Sequence, residues 1–419
     1  MCFALGAFWP LLYGTKFIAK HAGLTATWVV GSLLMSTFTL LPVIKIEDIN
    51  TISCGALLMF FTGVLYLLFE DDILRRSSAQ ASHTISNCGS RVIMGAQIGL
   101  VLLSLIVTRS SVFSLQAKQG IPLGNLVIGW FVLVASLLLP FFHRLYPNSH
   151  YLHRLMVLFL TFSPTFVILT TSYEGLFYFV FCMTVLTWVR LEHAVYVHTA
   201  APVSRKPRAN EDPSVVSKKP SQEATATVDG QTYRYRTLSI SDSRVALFFF
   251  FLLQSAFFST GNIASVSSFS LESVARLIPV FSPFSQAALL ILKILIPFAI
   301  ISANLGILNR RLEVAPSALF MVVMSISDVM TLNFFYMVRD EGSWLDIGTT
   351  ISHFLIASLL CTFVAGLEFL SEVFISGVEF GPATAVVTAV SQTMEGSMDC
   401  GHERELKEQK QPNGTNSET

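Results

Sequence analysis

The chain has 419 residues, of which 53% are hydrophobic and only 13% charged, against about 25% charged in soluble domains. Its 27 basic and 27 acidic residues leave no net charge at neutral pH, which excludes a surface built for nucleic acid, since phosphate binding needs a basic excess. The apolar excess collects in long runs, so the expected fold class is all-α: a polytopic α-helical membrane protein with about eleven spanning helices.

In chain order, the first residues, Met1 to Pro10, are already apolar and lack the positive n-region of a secretory signal peptide. A chain that opens inside a membrane segment leads us to expect residues upstream of it. The expected spans are 1–15, 24–44, 52–69, 92–108, 123–142, 155–171, 175–191, 245–260, 283–305, 316–338 and 350–370. The first is short and interrupted by Pro10. A run at 378–391 is too short and too rich in small residues to count. Residues 199–243, rich in Pro, Ser, Lys and Arg, bury too little apolar surface to fold and are expected to form a disordered cytosolic linker. The linker divides a membrane domain of seven helices (1–198) from one of four (244–375). The polar tail, 376–419, is expected to be disordered, and its sequon at Asn413 unused if the tail is cytosolic.

Loops on the cytosolic side collect Lys and Arg. Of the 27 in the chain, the loops after even-numbered spans hold only Lys45, Arg109, Lys118, Arg276 and Arg339, and Lys293 lies within a span. The rest follow odd-numbered spans. The even loops are therefore expected to be luminal, the C-terminus cytosolic and the start of the first span luminal.

Charge inside the membrane is expensive and marks candidate sites. Lys293 lies mid-span, four residues before Pro297, whose ring removes a backbone hydrogen bond and can open a cavity. It would pair either with an anionic lipid or phosphate group, or with a buried carboxylate, for which Asp328 in the next span is the obvious partner. Asn304 and Asn333 are expected to act as hydrogen-bonding glue between helices. Two luminal loops add candidates: Ser259-Thr260-Gly261-Asn262 and Arg339-Asp340-Glu341-Gly342-Ser343-Trp344-Leu345-Asp346, followed by His353. Gly-rich turns let backbone approach a head group, and Trp344 suits an interface belt. The candidate lipid-binding residues are thus Lys293, Asp328, Asn262, Trp344, Asp346 and His353, and a plain re-entry turn with an aromatic anchor explains much of the same pattern.

His143, His150 and His153 share one short loop and read as a solvated basic loop rather than a metal site. Glu174, in a tight luminal turn, reads as a helix cap. The six cysteines are scattered without metal-ligand spacing and read as small buried hydrophobes. Nucleophile elbow, P-loop and HExxH motifs are absent, so no catalytic residue and no cofactor or metal site is expected in this chain.

Ser259-Thr260-Gly261-Asn262-Ile263-Ala264-Ser265, Lys293-Ile294-Leu295-Ile296-Pro297-Phe298, Ile326-Ser327-Asp328 and Gly342-Ser343-Trp344-Leu345-Asp346-Ile347-Gly348-Thr349 with Ile351-Ser352-His353 carry a resemblance. So do Lys118-Gln119-Gly120-Ile121-Pro122-Leu123 and Tyr173-Glu174. In order and spacing they resemble the C-terminal membrane half of the GPI ethanolamine phosphate transferase 1 (PIG-N type) family, over about residues 1–375. The resemblance implies transfer of phosphoethanolamine from phosphatidylethanolamine to the first mannose of the GPI precursor glycolipid, in the endoplasmic reticulum membrane. It also implies a luminal, alkaline-phosphatase-like catalytic domain with zinc-type metal ions, N-terminal to the helices. That domain's metal ligands and Thr nucleophile do not map onto this sequence, so the chain alone is expected to be inactive. The tail after about residue 375 departs from the family's short basic ending. Two alternatives stay open on the residues alone: a lipid or solute transporter with a central Lys and Asp, and a membrane-embedded acyl or glycosyl transferase using His353 and Asp346.

Overall fold

A computed structural model describes residues 6–38, 40–41, 47–77, 88–142, 150–200, 224–228, 231–235, 238, 240–260, 272–312, 314–315, 318–337, 359, 362–376 and 378. A 3-10 turn, Trp9–Tyr13, leads into α1 (Thr15–Lys20), α2 (Ala22–Phe38), α3 (Ile49–Leu68), α4 (Glu70–Ser77), α5 (Cys88–Gln116), α6 (Leu123–Phe142), α7 (Tyr151–Leu169) and α8 (Glu174–Ala200). After these come α9 (Ile240–Thr260), the short α10 (Glu272–Ala275), α11 (Pro283–Arg311) and α12 (Ala318–Met337), then a helical stretch at 362–375.

Among the described residues six helices are long and apolar enough to cross a membrane: Ile49–Leu68, Gly89–Gln116, Leu123–Phe142, Tyr151–Leu169, Glu174–Thr199 and Pro283–Arg311. The sequence led us to expect about eleven. The first expected span is not one helix: Pro10 lies at the start of a 3-10 turn, Trp9–Tyr13, and Gly14, at φ +87°, ends it before α1 begins. The second gives α2, which at 17 residues is short for a crossing. The last expected span falls largely outside the described residues. Within the expected linker, Ala224–Val228 and Gln231–Tyr235 pair antiparallel. They flank Asp229-Gly230, a dipeptide favoured in two-residue hairpin turns.

The core forms around α7. All its residues are buried except Arg154 and Phe162, as a helix apolar on every face must be. Helices α3, α5, α6, α8 and α11 pack on it, with α2 laid on α8, and α9 on α11 and α12. The outer helices keep an apolar face uncovered. On α6, Val127, Phe131, Val134, Leu138 and Phe141 recur at three- and four-residue steps and are exposed, which in a bilayer is a lipid-facing stripe. Pro164 and Pro297 lie inside α7 and α11, and both helices run through them.

Contacts between helix ends sort into two sets. Residues at or after the ends of even-numbered spans meet one another: Glu47 with Arg276, and Phe38, the last residue of α2, with Tyr173. Residues at or after the ends of odd-numbered spans meet at the other end: Tyr13 and Glu192 with Arg244, and Glu70 with Arg91 and His153.

Helices α3 and α8 approach closely at Gly55, where an added Cβ would sit 2.9 Å from the carbonyl carbon of Gly175 and 3.0 Å from the Leu176 nitrogen. Small residues allow such backbone proximity in membrane bundles. Because the obstacle is backbone rather than a movable side chain, Gly55→Ala is expected to destabilise the protein by about 1–3 kcal/mol. Thermal unfolding of the detergent-solubilised chain checks this, with Gly124→Ala, where an added Cβ meets open space, as the control.

Candidate functional site

The turn between α7 and α8, Thr170 to Tyr173, lies at the end expected to face the lumen. Helix α7 ends with carbonyls that lack intrahelical partners. Arg276, just after α10, supplies the donor: its Nη1 lies 2.9 Å from both the Ile168 and Thr170 oxygens. Its Nη2 pairs with Glu47, just ahead of α3. The guanidinium is buried, so the carbonyls and Glu47 together supply the charge compensation that water would otherwise give. Close by, Trp130 of α6 donates to the Leu277 carbonyl at 3.1 Å.

Helix α8 starts with Glu174. A carboxylate there is favoured by the helix dipole, and Glu174 also accepts from the Thr171 backbone nitrogen at 3.2 Å. Its other partner is Lys293 of α11, with Nζ 2.5 Å from Oε2. The two side chains are 3% and 0% exposed, so this is a fully buried ion pair. The turn is therefore held by two cations, Arg276 on its carbonyls and Lys293 on its carboxylate.

These placements revise several expectations. Lys293 does meet a buried carboxylate, but it is Glu174 rather than Asp328, which lies exposed on α12. Asn304 does not reach across to another helix; its Nδ2 donates to Ile300 in its own helix at 2.8 Å, because a four-residue step puts that carbonyl within reach. The side chain of Asn333 lies outside the described residues. So do Asn262, Trp344, Asp346 and His353, and the proposed pairing of His353 with Asp346. Sequence reasoning treated Glu174 as a simple cap. The available signal was that it is the only acidic residue between Asp72 and Glu192. An isolated carboxylate beside apolar runs calls for a cation inside the membrane.

The expected histidine loop also differs. Helix α7 starts at Tyr151, so His153 lies inside it, 3% exposed. His153 Nε2 is 3.0 Å from Ser90 Oγ, and Nδ1 is 3.1 Å from Glu70 Oε1. Arg91 holds Glu70 from the other side at 3.1 Å. The connectivity is that of a nucleophile relay, but the Ser90 hydroxyl is buried, so the trio ties α4, α5 and α7 together rather than meeting a substrate. Burial opposes ionisation of Glu70. The hydrogen bonds and charges of His153 and Arg91 together outweigh it, holding the carboxyl below its ordinary value. Among the described residues no three His, Cys, Asp or Glu side chains gather as a metal site.

The fold and this charge-lined bundle define a polytopic α-helical membrane protein. The family model for phosphatidylinositolglycan class N (PIG-N) matches residues 1–343, and the chain belongs to that family. It is 77% identical over 400 residues to GPI ethanolamine phosphate transferase 1 of Aspergillus fumigatus, covering 95% of this chain and 38% of that protein. The protein of the same name from Aspergillus oryzae is 72% identical over 404 residues, covering 96% and 40%. That of Saccharomyces cerevisiae is 38% identical over 373 residues, covering 89% and 35%. The chain thus spans about two fifths of the length of these relatives. No solved structure matches it.

Removing one partner of a buried ion pair strands the other charge, at a cost of about 3–5 kcal/mol. Lys293→Met and Glu174→Gln are each expected to lose stability in that range. The double variant is expected to recover much of the loss, as thermal unfolding in detergent would show; additive losses would mean the pair is not coupled.

His150 caps α7, its Nδ1 accepting from the Leu152 nitrogen at 3.2 Å, which requires an unprotonated Nδ1. Burial, then the charges of Arg311, His153 and Arg190, lower its pKa from 6.5 to about 4. The unfolded chain therefore binds a proton more readily than the folded one, and stability falls as pH drops from 6.5 towards 4. His150→Asn, which keeps a capping acceptor, is expected to flatten that part of the stability profile.

Proposed function

We propose that this chain is the membrane region of a GPI ethanolamine phosphate transferase of the endoplasmic reticulum. In this reading it anchors a luminal catalytic domain and presents two lipids to it: phosphatidylethanolamine as donor and the GPI precursor, at its first mannose, as acceptor. The carrying observation is that 77% identity to a protein of that name extends over 95% of a chain whose described residues are mainly membrane helices. What the two proteins share is therefore the membrane part. The chemistry, with its zinc-type metal ions, belongs in this reading to the catalytic domain; these helices hold and orient the lipids. The end bearing Glu47, Glu174, Arg276 and Lys293 would face the lumen, towards that domain, and the C-terminus the cytosol.

Complementation tests the reading. The chain would be expressed in cells lacking the first GPI ethanolamine phosphate transferase, with and without a separately expressed luminal catalytic domain, and surface GPI-anchored proteins scored by flow cytometry. Restoration is expected only with both pieces. Restoration by this chain alone, or failure of the two pieces together, would overturn it.

A further inference from the structure

At the end of the bundle opposite Lys293, the described cations divide into two groups. Some have a carboxylate: Arg244 with Glu192 at 2.5 Å, Arg91 with Glu70 and Asp71, and Arg310 with Glu372 at 2.9 Å. Arg190 and Arg311 have none among the described residues. Both are half-buried. Arg311 lies over the Tyr151 ring, its Cζ 4.0 Å from the centroid, a cation–π contact that holds the guanidinium beside α7. Its Nη1 is shut off from solvent without a hydrogen-bond partner. His150, just ahead of α7, feels the charge of both Arg190 on α8 and Arg311 on α11.

A position in the last turn of α11 explains only Arg311, through the helix dipole. It leaves Arg190, four turns into α8, without a counter-charge. A shielded guanidinium N–H without an acceptor is costly, and an arginine fork fits the oxygens of a phosphate in pairs. Basic pockets between membrane helices on the cytosolic side take lipid head groups. We propose that Arg190 and Arg311 form a binding site for the phosphate group of an anionic phospholipid in the leaflet opposite the Lys293 end. The site does not depend on the transferase reading.

The test uses the full chain in mild detergent, following its unfolding midpoint during titration with dioctanoyl phosphatidylinositol, dioctanoyl phosphatidylcholine or inorganic phosphate. The anionic lipid is expected to raise the midpoint in a concentration-dependent way, the zwitterionic lipid much less, and added salt to diminish the rise. The combined Arg190→Gln and Arg311→Gln variant is expected to lose it. Should that variant fail to fold, Arg311→Lys, which keeps the charge but not the fork, is expected to show a weaker rise. An equal rise with inorganic phosphate would keep the site and assign it to a free anion. Equal rises from the two lipids, undiminished rises in the variants, or no rise in the wild type would overturn the proposal.

Discussion

The arrangement of this bundle turns on one buried contact, the ammonium of Lys293 against the carboxylate of Glu174. Taking two charges out of water costs several kcal/mol per ion, and mutual attraction returns that only when geometry and further hydrogen bonds are good. Such a pair is therefore better understood as fixing position than as adding stability. Lys293 can satisfy itself at one depth along α11, and Glu174 at one place, the first turn of α8. Together they set the axial register between the two helices, which apolar packing alone would leave free to slide. Arg276 does the same for the end of α7, since its two carbonyl acceptors and Glu47 converge from three separate parts of the chain.

Between its tied ends the bundle is mainly apolar, inside and out, with a few buried polar pairs such as Gln97 with Thr161 and Ser136 with Thr165. Helix α7 is enclosed on all sides, while α6 shows a regular stripe of exposed Val, Leu and Phe. In water that stripe would be a liability; in a bilayer it is the surface solvated by lipid. Helix association in lipid relies on close packing rather than hydrophobic exclusion. That accounts for Gly55 against Gly175, and for Gly63 facing Ile98 and Leu160.

Sequence reasoning recovered the membrane class, the location of most helices and the pairing of Lys293 with a buried carboxylate, because each rests on local hydropathy or on a charge within an apolar run. Helix ends were harder. His153 was assigned to a loop because the hydropathy of α7 rises only after Arg154; in the structure, partners on α4 and α5 draw one more turn into the helix. The first span failed because Pro10 and Gly14 outweigh local apolarity. The partner of Lys293 was misassigned because Asp328 is mid-span whereas Glu174 is in a turn, and only tertiary structure brings that turn down to the depth of the lysine. The cluster around Arg311 left no mark in the sequence beyond a general excess of cations at helix ends, since its members come from three helices far apart along the chain.

The same contacts bear on the transporter alternative. Alternating access needs one group of helices to rock against another around a fixed site. Here helices α1 to α8 are joined to the later ones at both ends. Arg276 binds Glu47 and the end of α7 at one end. At the other, Arg244 binds Glu192 and Tyr13, and Arg154 donates to the Phe374 carbonyl at 2.7 Å. Rocking would break buried charge pairs at one end or the other, each costing several kcal/mol. A frame joined in this way is poorly suited to cycling between two openings. It is well suited to remaining fixed while lipids move along its outer faces, as anchoring and presenting substrates to a separate catalytic domain would require.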